Sequence, residues 1–283
     1  MRANLAIGGL GMRLEGGADV ALAMGLPGMG LFAARDVEPA IEVRLDADVP
    51  RPECRWLHRF EFGDGDRVCR FGRTAEGGYC YTFDDKAWLL CTPHESEARF
   101  ALTRVADAGV LRFALWIAYG MGGLRHGRVP VHTSTVVCDG RAVLCLGESG
   151  TGKSTHTRLW LNHIEGSSLL NDDSPIVRAD GTVYGSPWSG KTDCYRQEHF
   201  PIAALLRLEQ RPENRIRRLG TIEAFTALQP SCPPCLQRDD TLLDGLVDFV
   251  GHVIGRVPAY RLGCRPDSEA AHLSHDTIYG LCR

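Results

Sequence analysis

Short apolar stretches separated by turns characterise the first third of the chain. Glycine and aspartate mark the turns, as in the Gly-Asp-Gly-Asp stretch at 63–66, and alternating positions are visible over Tyr79–Phe83 and over 87–91. A period of two residues is typical of β-strands. The pattern predicts a β-rich N-terminal region over residues 1–105, in which no catalytic motif stands out.

Apolar residues recur at helical spacing in residues 106–123. Leu111, Leu115 and Tyr119 share one face of the predicted helix, and two glycines end the run. We expect a connecting helix within residues 106–127 that packs against a sheet through its large aromatic side chains.

Beyond residue 127, compact apolar stretches alternate with amphipathic ones. The pattern predicts strands at 129–138, 142–146, 176–178, 183–184, 203–208 and 259–264, and helices at 153–163 and 241–256. Asp139-Gly140 is a typical hairpin turn. Strands interleaved with helices indicate an α/β domain, which we predict over residues 128–283.

Composition limits the classes of function. The 283 residues carry 32 basic and 35 acidic side chains, a net charge of −3, and 44% of them are hydrophobic, as in a globular protein. This balance gives no general attraction to nucleic acid or to an anionic membrane, so we expect neither as a partner. No signal peptide or membrane-spanning stretch is recognisable, and we therefore expect a cytoplasmic protein.

Two further clusters have more than one interpretation. Eleven cysteines without a secretion signal indicate reduced thiols, and Cys232-Pro-Pro-Cys235 favours a plain loop over a metal or redox site. The four arginines within 211–218 are interleaved with glutamate. This favours a solvated face of a helix or loop over a surface for an acidic partner or nucleic acid.

The strongest signal is a glycine-rich loop between a predicted strand and a predicted helix. The sequence Gly-Glu-Ser-Gly-Thr-Gly-Lys-Ser at 147–154 matches the phosphate-binding pattern G-x-x-x-x-G-K-[ST] at every fixed position. Glycines let successive backbone N–H groups turn toward phosphate oxygens, and the helix start adds a positive dipole end. The predicted nucleotide-binding residues are Gly147, Glu148, Ser149, Gly150, Thr151, Gly152, Lys153, Ser154 and Thr155.

ATP and Mg²⁺ are the expected ligands of this loop. Lys153 would contact the β- and γ-phosphates, and Ser154 would offer its hydroxyl to Mg²⁺. A carboxylate is also needed, and Asp172-Asp173 follows a strand-like Leu-Leu pair. One carboxylate can hold the metal while the other accepts the proton of a hydroxyl acceptor. A solvated turn is the alternative interpretation of the pair.

Three pieces of the sequence together resemble one known family. These are Val131-His132 at a strand, the 147–154 loop and the Asp172-Asp173 pair. They are similar to the HPr kinase/phosphorylase and phosphoenolpyruvate-carboxykinase-like P-loop family. The strings GESGTGKSTHTRLW, NDDSP and YGSPWSGK resemble a divergent bacterial subgroup related to it. The resemblance covers roughly residues 128–265 and implies a P-loop core joined to a β-rich N-terminal region.

The resemblance implies a role for each matching position. Asp172 would be the general base toward a serine-type hydroxyl, and Asp173 would lie near the metal with Ser154. His132 would lie close to the transferred phosphate or to the aspartate pair, with a buried strand histidine as the alternative. HPr kinases with this core form hexamers, so a homo-oligomer is implied as well.

The sequence departs from the family where HPr kinases carry a Leu-x-Glu-Ile-Arg-Gly signature. Residues 184–191 read Tyr-Gly-Ser-Pro-Trp-Ser-Gly-Lys instead, which argues against HPr as the substrate and against a reverse phosphorylase reaction. Lys191 could meet the transferred phosphoryl group or an anionic substrate, and Trp188 could stack on a base or form a wall of the pocket. Arg196 is a further candidate cation. A surface turn around a buried tryptophan is the alternative. No keto-acid site is found, so carboxykinase activity is not expected.

These features predict an ATP-dependent kinase that transfers the γ-phosphate to a hydroxyl. Serine on a protein or peptide is the expected acceptor. Two alternatives stay open, a kinase for a small hydroxyl compound and an ATP-binding regulatory module with little turnover. The predicted catalytic residues are His132, Lys153, Asp172, Asp173 and Lys191, and the predicted metal ligands are Ser154 and Asp173.

Overall fold

The chain folds into two compact units. The computed structural model describes residues 1–63, 65–92, 98–190 and 192–280. One unit comprises Met1–His126 with Pro234–Leu243, and the other comprises Gly127–Pro233 with Asp244–Arg283. Each unit contains helices and a sheet of mixed strand directions. The fold class is therefore mixed α/β, as the sequence predicts.

The first unit is built around an eight-stranded sheet within the described ranges. Its strands are β1 (Arg2–Ile7), β2 (Leu10–Glu15), β3 (Pro39–Arg44), β4 (Cys54–Phe62), β5 (Arg67–Thr74), β6 (Tyr79–Phe83), β7 (Ala87–Thr92) and β8 (Ala98–Leu102). The order is β1-β2-β3-β8-β7-β6-β5-β4, with parallel pairing only between β2 and β3 and between β3 and β8 among these strands. The predictions for β6 and β7 are confirmed.

Helices α1 (Asp19–Met24) and α2 (Ala108–Leu124) belong to the same unit. Helix α2 packs against β3 and β8, and Gly122 permits the approach because a Cβ there would lie 2.7 Å from a side-chain carbon of Ile41. The hydroxyl of buried Tyr119 donates to the carbonyl of Ile7 at 2.9 Å. The helix predicted within 106–123 is confirmed. Helix α1 was not predicted, because six residues are too few to show a helical period.

Asp239 joins the second segment of this unit to its sheet. The carboxylate is buried and accepts hydrogen bonds from the Arg73 guanidinium at 2.5 and 2.8 Å and from the Tyr79 hydroxyl at 2.9 Å. The bond from Arg73 is the main reason that the pKa of Asp239 lies below its usual value. Charge-assisted bonds of this kind are about twice as strong as neutral ones, so they hold the 234–243 segment in place.

The remaining strands form the sheet of the second unit. They are β9 (Arg128–Pro130), β10 (Ser134–Cys138), β11 (Arg141–Leu146), β12 (Ser168–Asn171), β13 (Ile176–Arg178), β14 (Thr182–Tyr184), β15 (His199–Gln210), β16 (Arg215–Arg218) and β17 (Ala259–Cys264). The order is β12-β10-β11-β15-β14-β13-β9, with β17 beside β15 and β16 beside β17. The helices that follow α2 are α3 (Lys153–His163), α4 (Thr221–Leu228), α5 (Asp240–Ile254) and α6 (Ser268–Tyr279).

Four strands of this sheet point in the same direction. β11 is parallel to β15 and β15 to β17, while β10 is antiparallel to both β11 and β12. The carboxyl ends of β11, β12, β15 and β17 therefore lie along one edge, together with the amino end of β10. Open α/β sheets bind their ligands at such an edge.

An apolar cluster fixes α3 on the sheet. Val143 and Cys145 of β11, Trp160 of α3 and Leu262 of β17 are buried together, and α3 also packs against α6. Burial of one large apolar side chain contributes about 1.5–3 kcal/mol. Because α3 is held in this way, the loop that precedes it is held at the edge of the sheet.

Most predicted elements of the second unit are confirmed, including α3, β13 and β17 at their predicted bounds. The Asp139-Gly140 hairpin turn is also confirmed, since φ is 48° and 69° at its two residues. The strand predicted at 129–138 was wrong at its centre, because the amides of 131–133 donate to carbonyls outside the ladder.

The prediction of a helix or loop for the arginine cluster was wrong for Arg215–Arg218. These residues form β16, which pairs with β17 along residues 260–263. No described helix is long and apolar enough to cross a membrane. Helices α4 and α6 were not predicted.

Cys232 lies at a bend, Cys235 lies in a short 3₁₀ helix over Pro234–Gln237, and both residues are buried. Burial raises the pKa of Cys232 to about 12 and that of Cys235 to about 11. Reactive thiols have lowered pKa values, unlike these two. The ten cysteines in the described part of the chain are all free.

Candidate functional site

Glycines shape the loop between β11 and α3. Gly150 and Gly152 have φ angles of 80° and 105°, a left-handed conformation that residues with a Cβ avoid. Within the described chain, the amides of Ser149, Gly150 and Gly152 donate no hydrogen bond. The loop therefore presents free N–H donors at the start of a helix, which is the arrangement that binds phosphate groups.

Lys153, the first residue of α3, folds back over this loop. Its Nζ donates to the carbonyls of Gly147 at 2.8 Å and Glu148 at 3.2 Å, and lies 3.0 Å from Nε2 of His132. Partial burial lowers the pKa of Lys153, while the nearby carboxylate of Asp173 acts in the opposite direction. The ammonium group of Lys153 is thus held between the carbonyls of the loop and the imidazole ring of His132.

His132 connects Lys153 to the acidic pair. Nδ1 of His132 lies 3.2 Å from Oδ1 of Asp173. Because the ammonium of Lys153 can only donate, Nε2 accepts and the ring proton lies on Nδ1, facing Asp173. Asp173 also accepts a hydrogen bond from the Ser174 hydroxyl at 2.8 Å. The loop and the acidic pair are therefore separated by the width of one imidazole ring.

Asp172 is held from the opposite side by the Ser134 hydroxyl, which in turn contacts Thr157. Its Oδ1 accepts from Ser134 of β10 at 2.6 Å, and the Ser134 hydroxyl lies 2.9 Å from that of Thr157, one turn along α3 from Lys153. Its Oδ2 is buried and has no hydrogen-bond partner in the described structure. Leaving such an oxygen unpaired costs about 1–3 kcal/mol or more, so a ligand that pairs with it would be favoured.

Buried Asn171 sets the shape of the acidic turn. Its Oδ1 accepts from the amides of Asp173 at 3.0 Å and Ser174 at 2.9 Å, which closes a turn of the kind that asparagine favours. Its Nδ2 donates to the carbonyl of Trp188 at 3.2 Å. This one side chain therefore fixes both the carboxylates and the segment that packs on them.

Gly190 lies directly against the acidic turn. A Cβ at this position would lie 2.6 Å from the carbonyl oxygen of Asp172, closer than real Cβ atoms come to other atoms, so glycine alone fits without a shift. Lys191, predicted as a catalytic residue, lies outside the described residues.

Two residues near the acidic turn, Trp188 and Arg196, were suggested by the sequence as ligand contacts. In the structure Trp188 is buried, and Arg196 is bonded to other groups of the protein. Trp188 is 2% exposed and is not available to stack on a base, so that prediction was wrong. Arg196 donates to the carbonyl of Leu169 at 2.7 Å and to the Ser168 hydroxyl at 3.1 Å, and it pairs with Glu198. These bonds hold Arg196 against β12.

The glycine-rich loop also borders a cavity of about 670 Å³. Gln210, at the end of β15, donates from Nε2 to the carbonyl of Gly150 at 3.1 Å and so joins the loop to the cavity wall. Arg207 on the same strand lies 3.7 Å from the Glu148 carboxylate and adds positive charge beside the loop. The cavity is lined by residues of the loop and of α3, by the ends of β15 and β17, and by the segments that follow these two strands. The lining residues include Gly152, His156, Leu159, Leu208, Pro212 and Pro266.

Four of the five predicted catalytic residues lie together in the described structure, namely His132, Lys153, Asp172 and Asp173. Sequence reasoning missed Ser134, Thr157 and Gln210, whose contacts join different elements and leave no spacing pattern. The turn chemistry of the Asn-Asp-Asp-Ser-Pro stretch was recognised in the sequence, but the part that the Asn171 side chain takes in closing the turn was not.

The donor atoms at this edge fit a magnesium ion. Mg²⁺ prefers oxygen ligands, commonly one or two carboxylates together with phosphate oxygens. The Ser154 hydroxyl and the carboxylate of Asp173 are of this type. The unpaired Oδ2 of Asp172 beside them is free to accept a proton or another ligand group.

Comparisons with models of protein families and with curated protein sequences find no match for this chain. The functional interpretation therefore depends on the geometry of the site and on the motifs that form it.

Proposed function

We propose that this chain is an ATP-dependent phosphotransferase with a P-loop core like that of HPr kinases. It transfers the γ-phosphate of MgATP to a hydroxyl group, with serine on a protein or peptide as the acceptor. One observation carries the proposal. His132 contacts both Lys153 of the phosphate-binding motif and Asp173 of the acidic pair, at 3.0 and 3.2 Å.

The triphosphate is held by the loop amides and by Lys153. The bonds from Lys153 to the carbonyls of Gly147 and Glu148 are exchanged for bonds to phosphate oxygens, which are stronger acceptors because they are charged. Arg207 adds a second positive charge beside the loop. Catalysis of phosphoryl transfer depends mainly on such positioning and charge stabilisation.

The two carboxylates have separate tasks. Asp173 and the Ser154 hydroxyl would hold Mg²⁺, and the ion would supply positive charge that neutralises the phosphates. His132 keeps Asp173 in orientation through its Nδ1–H. Asp172 accepts the proton of the acceptor hydroxyl at Oδ2, since Ser134 occupies its other oxygen.

Phosphate transfer from labelled ATP tests the proposal. The purified chain is incubated with γ-labelled ATP, Mg²⁺ and a cell lysate, which is then separated into proteins and a low-molecular-weight filtrate. We expect label on serine of a protein with the wild-type chain and with Asp244→Asn, an exposed control, and no label with Asp172→Asn.

The other outcomes identify the alternatives. Label confined to the filtrate would identify a small-molecule kinase. MgATP binding without label in either fraction would contradict phosphotransfer and leave an ATP-binding module. Equal labelling by the wild-type chain and Asp172→Asn would exclude Asp172 as the base.

A further inference from the structure

A thiol, an imidazole and a carboxylate meet at the turn between β10 and β11. Sγ of Cys138, a ring nitrogen of His275 on α6 and a carboxylate oxygen of Asp139 all lie within 4.8 Å of one another. Cys138 is buried, the His275 side chain is 13% exposed and Asp139 is exposed. Cysteine sulfur, histidine nitrogen and carboxylate oxygen are the donor atoms that bind zinc in proteins. The three residues therefore offer a complete mixed donor set outside the site described above.

The spacing of these donor atoms suits an ion of the size of zinc. A point among three atoms this close is at most about 2.8 Å from each, and bonds from zinc to sulfur, nitrogen and oxygen are about 2.0–2.3 Å long. Shifts of less than about 1 Å therefore bring all three atoms into bonding distance. The exposed side chain of Asp139 is free to make such a shift and gives the ion a route from solvent.

The imidazole of His275 has the surroundings of a metal-binding histidine. Nδ1 lies 2.9 Å from a carboxylate oxygen of Asp276, and because an ionised carboxylate only accepts, Nδ1 carries a proton. In the neutral ring the lone pair is then on Nε2, which is available to a metal. The ring also stacks on Tyr279 and packs edge-on against Trp160, with centroids 5.0 and 5.4 Å apart. A carboxylate at the second ring nitrogen is the usual partner of a histidine that binds a metal.

Tyr279 holds α6 against the turn that carries the other two ligands. Its hydroxyl donates to the carbonyl of Cys138 at 2.9 Å, and the guanidinium of Arg141 lies 4.6 Å from the centre of its ring. Cys138 and Arg141 flank the Asp139-Gly140 turn on its two sides. Since His275 lies one helical turn before Tyr279, these contacts keep the imidazole beside the thiol without a metal. Such preorganisation lowers the cost of binding.

The cluster lies at the opposite end of β11 from the glycine-rich loop. β11 leaves the turn at Arg141 and ends before the loop at Leu146, and six residues of strand span about 20 Å. The cluster is therefore separate from the residues proposed to hold Mg²⁺. Thiolate and imidazole ligands also favour zinc, whereas Mg²⁺ prefers oxygen ligands.

We propose that Cys138, Asp139 and His275 bind a zinc ion that joins the β10–β11 turn to α6, with a water molecule as the fourth ligand. On binding, the Cys138 thiol releases its proton to solvent, and its contact with the carbonyl of Glu165 at 3.8 Å is exchanged for the bond to zinc. The unfolded chain does not bring the three ligands together, so the ion stabilises the folded state.

Titration of the full metal-free chain with Co²⁺, a coloured substitute for Zn²⁺, tests the inference. We expect one ion to bind with the visible bands of a four-coordinate site and a sulfur-to-cobalt absorption in the near ultraviolet, and we expect Zn²⁺ to displace it. His275→Gln and Cys138→Ser should bind at least about 100-fold more weakly, because each loses a ligand, and Cys138→Ser should also lose the sulfur absorption. Two controls, Cys264→Ser and the exposed His272→Gln on α6, should behave like the wild type.

Thermal unfolding gives a second measurement of the same site. Because Zn²⁺ binds the folded chain, the Tm of the wild type should rise with its concentration. Asp139→Asn and His275→Gln leave the buried thiol in place and should show a smaller rise. Asp276→Asn should weaken Zn²⁺ binding about 10–100-fold, since it removes the charged acceptor at Nδ1 of His275.

Three results would overturn the inference: no binding of Co²⁺, binding without the sulfur absorption, or equal affinity of the wild type and His275→Gln. If Cys138→Ser fails to fold because its side chain is buried, Asp139→Asn and His275→Gln decide the question, since both replace side chains that are at least partly exposed. None of these measurements uses a nucleotide, so their outcome is independent of the proposed phosphotransfer.

Discussion

Nζ of Lys153 lies 3.0 Å from Nε2 of His132. Lys153 begins α3 after the glycine-rich loop, whereas His132 precedes β10, and the other ring nitrogen of His132 faces Asp173. The contact therefore links the part of the site that would hold phosphate to the part that would hold the metal and the acceptor. His132 is a positioning residue in this arrangement.

Replacement of His132 should slow transfer more than it weakens nucleotide binding. In His132→Ala, Asp173 loses its Nδ1–H donor, and we expect kcat to fall by about 100-fold with a much smaller change in the KM for ATP. In His132→Asn an amide N–H replaces the donor and should recover part of the rate. An unchanged kcat in His132→Ala would show that the ring does not position the carboxylate.

Asp172→Asn distinguishes a general base from a metal ligand. As a base, Asp172 is needed for transfer, so the rate should fall by about 10²–10⁴-fold while calorimetry shows MgATP affinity nearly unchanged. A metal ligand would instead show a large loss of affinity that higher Mg²⁺ concentrations restore. Asp173→Asn, measured alongside, is expected to show this second behaviour.

Lys153→Ala should weaken binding of MgATP by about 10–100-fold, because a charged hydrogen bond to phosphate contributes about 1.5–3 kcal/mol. Tripolyphosphate should lose the same factor, since the lost contact is to phosphate alone. Lys86→Ala, which removes an exposed lysine of the first unit, is the matched control and should bind both ligands normally. Normal tripolyphosphate binding by Lys153→Ala would contradict the assignment of the loop.

Gly190→Ala should disturb the acidic turn. The added Cβ would lie 2.6 Å from the carbonyl oxygen of Asp172, so the turn or the segment at 186–190 must move. We expect a stability loss of about 1–3 kcal/mol and transfer at least about tenfold slower. Gly251→Ala on α5 is the control, because a Cβ there meets no atom within 4 Å. Equal activity of the two variants would show that the packing of Gly190 does not affect the carboxylates.

Asp239→Asn should destabilise the first unit by about 1.5–3 kcal/mol, since it removes the charge that pairs with Arg73. The folded pKa of Asp239 lies below the usual 3.8, so its contribution is present above pH 3.8 and is lost as pH falls through the lower folded value. Urea unfolding of the wild-type protein and of Asp239→Asn should show a difference in the free energy of unfolding at pH 7. This difference should become smaller below pH 3.8. A difference in the free energy of unfolding that persists in acid would show that the substitution acts through packing and not through the charge.

The sequence was sufficient to predict those elements that a local pattern of residues defines. The glycines of 147–152 and the apolar stretch before them locate the loop, and α3 begins at Lys153 as expected. Asp139 and Gly140 form the predicted turn because both adopt the positive φ that this dipeptide tolerates.

Other features depend on tertiary contacts that leave no local trace. The strand predicted at 129–138 is interrupted because the amide of His132 donates to the carbonyl of Ser231, about a hundred residues away in sequence. Asp172 is oriented by Ser134 of β10, whose hydroxyl lies beside that of Thr157 on α3.

The central claim is that the 147–154 loop binds a magnesium-bound triphosphate beside Asp172 and Asp173. A crystal structure of the chain with Mg²⁺ and a non-hydrolysable ATP analogue tests it most directly. We predict β- and γ-phosphates on the loop amides and Lys153, with the γ-phosphate beside the two carboxylates. A saturated complex in which the nucleotide lies elsewhere and the loop is empty would contradict the account.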